Sequence, residues 1–230
     1  MKYLIIAAFL FPIFCNAQKI DGVGFLRINK TTTKVIDSLK ASGYDFKECA
    51  DFDGCYKPTG LTIVEPRVTP NGKLEGIEVP YYQEHKFYKI GELMISDITI
   101  KDIELHFFRD TLYEFLTENY PTEFEEALKL KYGEPTLETE TKEVTCINRL
   151  TGSYKLAEKS YTRHYRKEKN FEAYTYVSVS YNDKCEKNYF MLFNIVDLKK
   201  SAFVDMKEKK IKEDLENKKL ELKKGTLKDF

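Results

Sequence analysis

The chain has 230 residues, with 37 basic and 37 acidic side chains, so its formal net charge is zero. A balanced charge creates no overall field to attract nucleic acid or an anionic lipid surface, and we expect no nucleic-acid partner. Tyrosine and phenylalanine occur 16 times each and tryptophan is absent. This aromatic content, with many β-branched residues, favours a sheet-rich protein of one large or two small domains.

Residues 1–17 have the form of a secretory signal peptide. One lysine precedes the apolar run from Tyr3 to Phe14, and Ala17 supplies the small residue before the predicted cut. The run is too short to cross a bilayer, which takes about 20 residues. The three residues before Cys15 lack the small side chain that lipoprotein processing favours. We therefore expect a soluble protein, exported to the periplasm or out of the cell, without a lipid anchor or a transmembrane segment.

The remaining cysteines predict two disulfide bonds. Export would place them in an oxidising compartment, and loss of Cys15 with the signal peptide leaves Cys49, Cys55, Cys146 and Cys185. Four cysteines allow three connectivities. The close spacing of Cys49 and Cys55 favours a bond between these two and a second bond between the other two.

The stretch CADFDGC, from Cys49 to Cys55, could instead be a redox motif or a metal loop. A redox site of the thioredoxin type has two residues between its cysteines, whereas five separate these. A calcium loop would need an oxygen ligand at Cys49 and a glutamate at Gly60. Asp51 and Asp53 fit a tight turn, so the sequence predicts a turn closed by a disulfide.

Residues 18–85 are predicted to form an N-terminal α+β unit. Val23–Ile28 is predicted to be a strand, and a helix with Leu39 on its apolar face should follow and end at Gly43. Residues 44–80 contain prolines and glycines between short apolar segments. That composition is typical of strands and turns.

Residues 86–196 are predicted to form a second α+β unit. Apolar and polar residues alternate through Asp102, Ile103, Glu104, Leu105, His106 and Phe107, which is the period of a half-buried strand. A helix is predicted between Pro121 and Gly133, because proline suits a first helical turn and glycine a C-terminal cap. Four further strands are predicted at 141–147, 160–166, 171–181 and 188–196.

Residues 197–230 are predicted to be a charged helical tail. Of these 34 residues 19 are charged, and the apolar stripe is thin. Opposite charges three and four residues apart support a solvated helix. The tail could lie on the surface of the fold or serve as an arm that binds a partner.

Two segments resemble known exported proteins. The segment Phe25–Thr31, followed by Val35 and Leu39, resembles the strand and helix entry of the BamE/SmpA-type outer-membrane assembly proteins and the beta-lactamase inhibitor proteins, with Asn29-Lys30 where those proteins usually have glycine. Ile103–Phe115, followed by Lys131–Pro135, resembles small exported bacterial proteins of unknown function. The resemblance implies a two-layer α+β fold and a role in binding other proteins.

We therefore expect an α+β fold, with an antiparallel sheet and helices packed on one face. Phe25–Gly43 and Phe115–Gly133 are each nineteen residues long and agree at five positions. Two related strand-helix-sheet units would explain this agreement, as would shared sequence preferences at helix ends.

The predicted strand at 171–181 carries the candidate binding surface. Tyr174 and Tyr176 share one face with serines, and tyrosine with serine makes an adaptable contact surface. Arg163 and Tyr165 are expected nearby. We expect a non-catalytic protein that binds an envelope or extracellular protein, or a glycan, through these four residues, unless a helix or the tail covers them.

The alternative is a small secreted hydrolase that uses Asp102, Glu104 and His106. Alternate residues on a strand are ~6.5 to 7 Å apart, so groups from another strand would have to complete the site. His85 and His164 lie far apart in sequence, and no zinc-type histidine spacing is present. No serine-nucleophile or phosphate-loop motif occurs, and we expect no metal and no cofactor.

Overall fold

A computed structural model of the chain describes residues 19–49, 58–67, 80–118, 120–148 and 152–226. The signal peptide predicted for residues 1–17 lies outside the described residues, as does Cys55. None of the helices in the described ranges is long and apolar enough to cross a membrane.

These ranges contain eleven strands and three helices. The strands are β1 (Gly22–Val23), β2 (Leu26–Arg27), β3 (Asp45–Cys49), β4 (Thr62–Pro66), β5 (His85–Ile95), β6 (Ile98–Phe108), β7 (Thr111–Glu118), β8 (Thr136–Asn148), β9 (Gly152–Glu168), β10 (Phe171–Tyr181) and β11 (Lys187–Asp197). The helices are α1 (Lys34–Ala41), α2 (Thr122–Tyr132) and α3 (Leu198–Thr226).

Nine of the strands form one sheet, in the order β3-β4-β5-β6-β7-β11-β10-β9-β8. β3 and β4 run parallel, and all other neighbours in the sheet run antiparallel. β1 and β2 form a separate small hairpin. Because β4 pairs with β5, the sheet contains strands from both of the units predicted at 18–85 and 86–196.

The predicted α+β fold, an antiparallel sheet with helices on one face, is wrong. Strands hold 54% of the described residues and helices 24%, and the sheet is mixed. The difference arises mainly in β8 and β9, of 13 and 17 residues, which form where the sequence has few apolar residues to mark a strand. A repeated strand-helix-sheet unit stays a prediction: α1 leads to β3 at one edge of the sheet and α2 leads to β8 at the other, so an edge strand follows each helix.

The main core lies on one face of the sheet. Leu105 of β6, Phe115 of β7 and Phe193 of β11 are almost completely buried there. Leu39 of α1 and Phe124 of α2 belong to the same cluster. The rings of Phe124 and Phe193 meet edge to face with centroids 5.1 Å apart. α1 and α2 therefore cover the same face.

α3 packs on the opposite face. Side chains alternate along a strand, so His106 points away from the core that contains Leu105. On the His106 side, Phe203 of α3 packs on Phe108 with ring centroids 5.4 Å apart. Val204 of α3 is fully buried. The sheet is thus covered on both faces where α3 crosses it.

The predicted helix ends are confirmed. α2 begins directly after Pro121 and ends before Gly133, which has a φ of +88° that glycine adopts without strain. α1 ends just before Gly43. α3 follows β11 without a loop, because Asp197 Oδ1 accepts hydrogen bonds from the backbone N–H groups two and three residues later.

One predicted disulfide is confirmed. Cys146 of β8 is bonded to Cys185, in the turn between β10 and β11, and their Cα atoms are 5.8 Å apart. Cys49 is also disulfide-bonded. Its predicted partner Cys55 lies outside the described residues, so the pairing of Cys49 with Cys55 stays a prediction.

Phe193→Ala should lower the free energy of unfolding by about 3 to 5 kcal/mol, because it removes the ring that joins Phe115 to Phe124 in the core. Urea denaturation followed by circular dichroism measures this. Phe190→Ala, on the same strand but 38% exposed, is the matched control and should cost about 1 kcal/mol or less. Equal losses in the two variants would contradict the described core.

Candidate functional site

A cleft of about 590 Å³ lies between α3 and the sheet. Its lining includes His85 from β5, Glu104 and His106 from β6, Tyr113 from β7 and Glu208 from α3. The cleft therefore combines two residues of the predicted hydrolase site with three that the prediction did not include.

The register of the central strands brings these side chains together. His106 lies opposite Phe87 in the ladder between β5 and β6, two residues from His85. A β-bulge interrupts the pairing of β6 with β7 after His106. The bulge leaves Tyr113 as an additional residue of β7, and its hydroxyl lies 3.3 Å from His85 Nε2.

A chain of polar contacts crosses the inner wall of the cleft. His85 Nδ1 lies 2.8 Å from Glu208 Oε1, and His85 Nε2 lies 3.2 Å from His106 Nδ1. On the far side, His106 Nε2 lies 3.5 Å from Glu104 Oε2. The other Glu104 oxygen lies 2.8 Å from Lys89 Nζ. The two histidines are thus held between two carboxylates.

The two imidazoles are hydrogen-bonded to each other. Their planes differ by 16° and their centroids are 5.5 Å apart, and Nε2 of His85 lies 3.2 Å from Nδ1 of His106. A hydrogen on one of these two nitrogens is donated to the lone pair of the other, and the tautomers decide which ring is the donor.

Glu208 also ties α3 to the segment that leads into β5. Its two oxygens accept hydrogen bonds from the backbone N–H groups of Tyr81 and Tyr82, at 2.8 and 3.1 Å. Burial alone would raise the pKa of Glu208, but the hydrogen bond to His85 and these backbone bonds hold it below its usual value. The carboxylate is therefore charged and fully engaged.

The environment of Glu104 also favours its charged form. Burial opposes the charge, but the hydrogen bond to His106 and the positive charge of Lys89 lower the pKa of Glu104 to about 2. Within the described ranges, no group of three or more histidine, cysteine, aspartate or glutamate side chains could hold a metal ion. The facing nitrogens of the two histidines also leave no space for an ion between them.

The predicted hydrolase residues do not all meet in the cleft. Asp102 lines a smaller crevice of about 160 Å³ with Glu118 and Glu104. Its φ of +50° departs from the regular strand. Glu104 borders both spaces, whereas His106 lines only the larger one.

The four predicted binding residues lie on two faces of the sheet. Tyr174 and Tyr176 are half-buried on the α3 face. Arg163 lies on the core face, with Nε 3.6 Å from an oxygen of Glu125 in α2, and Tyr165 packs against the core. A bulge between β9 and β10 shifts the register at Tyr174. The expectation that all four share a surface is not met, and their role in binding stays a prediction.

Tyr176 belongs to an open cup on the α3 face. The cup has a volume of about 220 Å³, and its lining includes Glu140, Lys142, Glu158, Ser160, Tyr176, Ser178 and Ser180. These residues come from β8, β9 and β10, and α3 contributes nothing to the lining. Phe190 of β11 borders Tyr176, with ring centroids 6.3 Å apart.

Little in the sequence indicates the contact between Glu208 and His85, which are 123 residues apart. The only signal is positional. Glu208 follows Val204 by four residues, so the two share one side of a helix, and Val204 is the type of residue that would face a core. The sequence does not distinguish Glu208 from the other glutamates of the charged tail, which are expected to be solvated.

No family model matches the chain, and no curated protein or solved structure matches it. The resemblance to the BamE/SmpA-type proteins and the beta-lactamase inhibitor proteins therefore stays a prediction. The role of the cleft and of the cup has to follow from their own geometry.

Glu208→Gln should lower the free energy of unfolding by about 1.5 to 3 kcal/mol, because a neutral amide replaces the charged acceptor of three hydrogen bonds. Urea denaturation measures the loss, and amide exchange at Tyr81 and Tyr82 should become faster. Glu213→Gln, on the exposed part of the same helix, is the control and should change neither. Unchanged exchange in the Glu208 variant would show that α3 is not held by this contact.

Stability should fall at acidic pH through Glu104 and Glu208. Both pKa values are lower in the folded chain than the usual 4.5. Their contribution is therefore complete above pH 4.5 and is lost as the pH falls toward the folded value, about 2 for Glu104. Urea midpoints measured across this range should fall less steeply in Glu104→Gln than in the wild type. Equal slopes would contradict the assignment.

Proposed function

We propose that the protein is exported and binds another protein of the cell envelope or extracellular space through the cup around Tyr176. The observation that carries this proposal is the cup itself, an open polar and aromatic surface on β8, β9 and β10. Export is supported by the predicted signal peptide and by the disulfide of Cys146 with Cys185, a bond typical of oxidising compartments.

The composition of the cup suits a protein partner. Tyrosine contributes contact area with little rotamer entropy to lose, and serines adapt their hydrogen bonds to the partner. Phe190, 38% exposed, extends the aromatic surface beside Tyr176. Glu140 and Lys142 on the rim supply charges of both signs, which favour orientation of a complementary partner.

The support beneath the cup is rigid. Backbone pairing joins β8 to β9 along its whole length, and β9 to β10 over most of theirs. The bond of Cys146 to Cys185 links the outer strand β8 to the turn after β10. A surface fixed in this way loses little conformational entropy on binding, which favours affinity.

The cleft under α3 fits a structural role better than catalysis. Glu208 is engaged by three hydrogen bonds, and Glu104 by His106 and Lys89. Both nitrogens of His85 and of His106 face protein groups. A general base needs a lone pair directed at the substrate, and these groups direct theirs at one another.

In a pull-down from envelope and culture-medium fractions, the oxidised wild-type chain should retain a partner. The double variant Tyr176→Ala/Phe190→Ala should not retain it. The partner is identified by mass spectrometry, and its dissociation constant is then measured with purified proteins. Loss of two aromatic anchors should weaken binding by about 30-fold or more.

Tyr161→Ala is the matched control, because Tyr161 lies on the neighbouring strand, opposite Val177, and on the other face of the sheet. Thermal melts of all variants check that the fold is intact. A partner that binds wild type and double variant equally would rule out the cup, as would the absence of any retained protein.

A hydrolase is the second candidate, because His106 and Glu104 lie 3.5 Å apart at the wall of a cleft. The pair would act as a general acid and base if substrate binding displaced the contact of His106 with His85. Chromogenic esters, phosphate esters and glycosides test this. Turnover by the wild type that His106→Gln abolishes would support the hydrolase function. No turnover of any of these substrates would rule that function out.

A further inference from the structure

β8 forms one edge of the sheet and is unusually long for an edge strand. It pairs with β9 from Thr136 to Asn148, and no strand among the described residues pairs with its other side. Strands typically have about 5 to 6 residues, and long open edges pair readily with another strand. Residues 136–143 are exposed on both faces, so nothing in the described fold blocks this edge.

β8 carries three charged side chains in a row on one face, two negative and then one positive. Glu138, Glu140 and Lys142 occupy successive positions on the face of the cup, opposite Thr162, Ser160 and Glu158 of β9. A second strand added to the open edge would place its own side chains directly beside these three charges, at about 4.5 to 5.5 Å between Cβ atoms. The charges therefore select which strand fits there.

We propose that β8 pairs antiparallel with β8 of a second copy of this chain, about a twofold axis through Thr141. In such a pair Glu140 of each copy lies opposite Lys142 of the other, so two pairs of opposite charge flank the axis. Leu137, which is 56% exposed, would lie opposite Thr145. The two nine-stranded sheets would become one continuous sheet, and the two cups would lie next to each other.

Neighbouring registers are unfavourable because they oppose like charges. Residues that lie opposite each other in a sheet must point to the same face. The twofold axis therefore has to pass between one residue and its own copy. An axis at Glu140 or at Lys142 would set that residue against its own copy. An axis at Thr139 would place Glu138 of each copy opposite Glu140 of the other. An axis at Glu143 would place Glu143 opposite its own copy. Thr141 is the central position that avoids all these conflicts.

The proposal concerns the edge of the sheet and does not rest on the cup. Tyr176→Ala/Phe190→Ala should leave the association unchanged, since neither residue belongs to β8. Failure of the dimer and failure of partner binding are therefore separate outcomes.

Sedimentation equilibrium of the oxidised chain without its predicted signal peptide should give a dimer. Lys142→Glu and Glu140→Lys should each weaken association by about tenfold or more, because each change creates two like-charge pairs at the axis. A mixture of the two variants should form a heterodimer, in which every such pair has opposite signs. The double variant Glu140→Lys/Lys142→Glu should again form a homodimer.

Circular dichroism and thermal melts check that each variant is folded, since Lys142 also lies 3.9 Å from Glu158 within the chain. A monomeric wild type at millimolar concentration would overturn the proposal. So would single variants that associate as the wild type does, or a mixture that stays monomeric while the wild type dimerises.

Discussion

The alternation of side chains along β6 is the constraint on which both halves of the structure depend. Leu105 and its apolar neighbours face α1 and α2 and form the main core. Glu104 and His106, which flank Leu105 along the strand, face α3 on the other side. A shift of one residue would place the charged set in the apolar core and the apolar set on the α3 face. The register of this one strand therefore fixes the core and the position of the polar cleft together.

The contact of Glu208 with His85 then determines which part of the sheet stays open. α3 begins directly after β11 and crosses β7 and β6, and Glu208 holds it at the start of β5. On this path α3 covers the central strands and does not reach the cup on β8, β9 and β10. A buried charged group that is left without its partner is costly, so the cleft residues stabilise this arrangement of helix and sheet.

The sequence predicted features that depend on neighbouring residues. The alternation at 102–107, the ends of α2 at Pro121 and Gly133, and the pairing of Cys146 with Cys185 all follow from local patterns or from spacing, and all are present. The extent of β8 and β9 does not follow from such patterns, because backbone pairing, more than buried side chains, holds most of their length. The partner of His85 could not be predicted either, since a contact across 123 residues is decided only by the complete fold.

The two ends of the sheet differ in what stabilises them, and this difference bears on function. Strands β5 to β7 are stabilised by side chains on both faces, with a hydrophobic core on one and the polar cleft on the other. The outer strands β8 and β9 have mostly exposed side chains, and backbone hydrogen bonds with one disulfide fix their shape. Such an extension adds little to a core, so stability alone does not account for its length. Binding of other chains at this end of the sheet would explain its rigid surface, its aromatic cup and its open, charged edge.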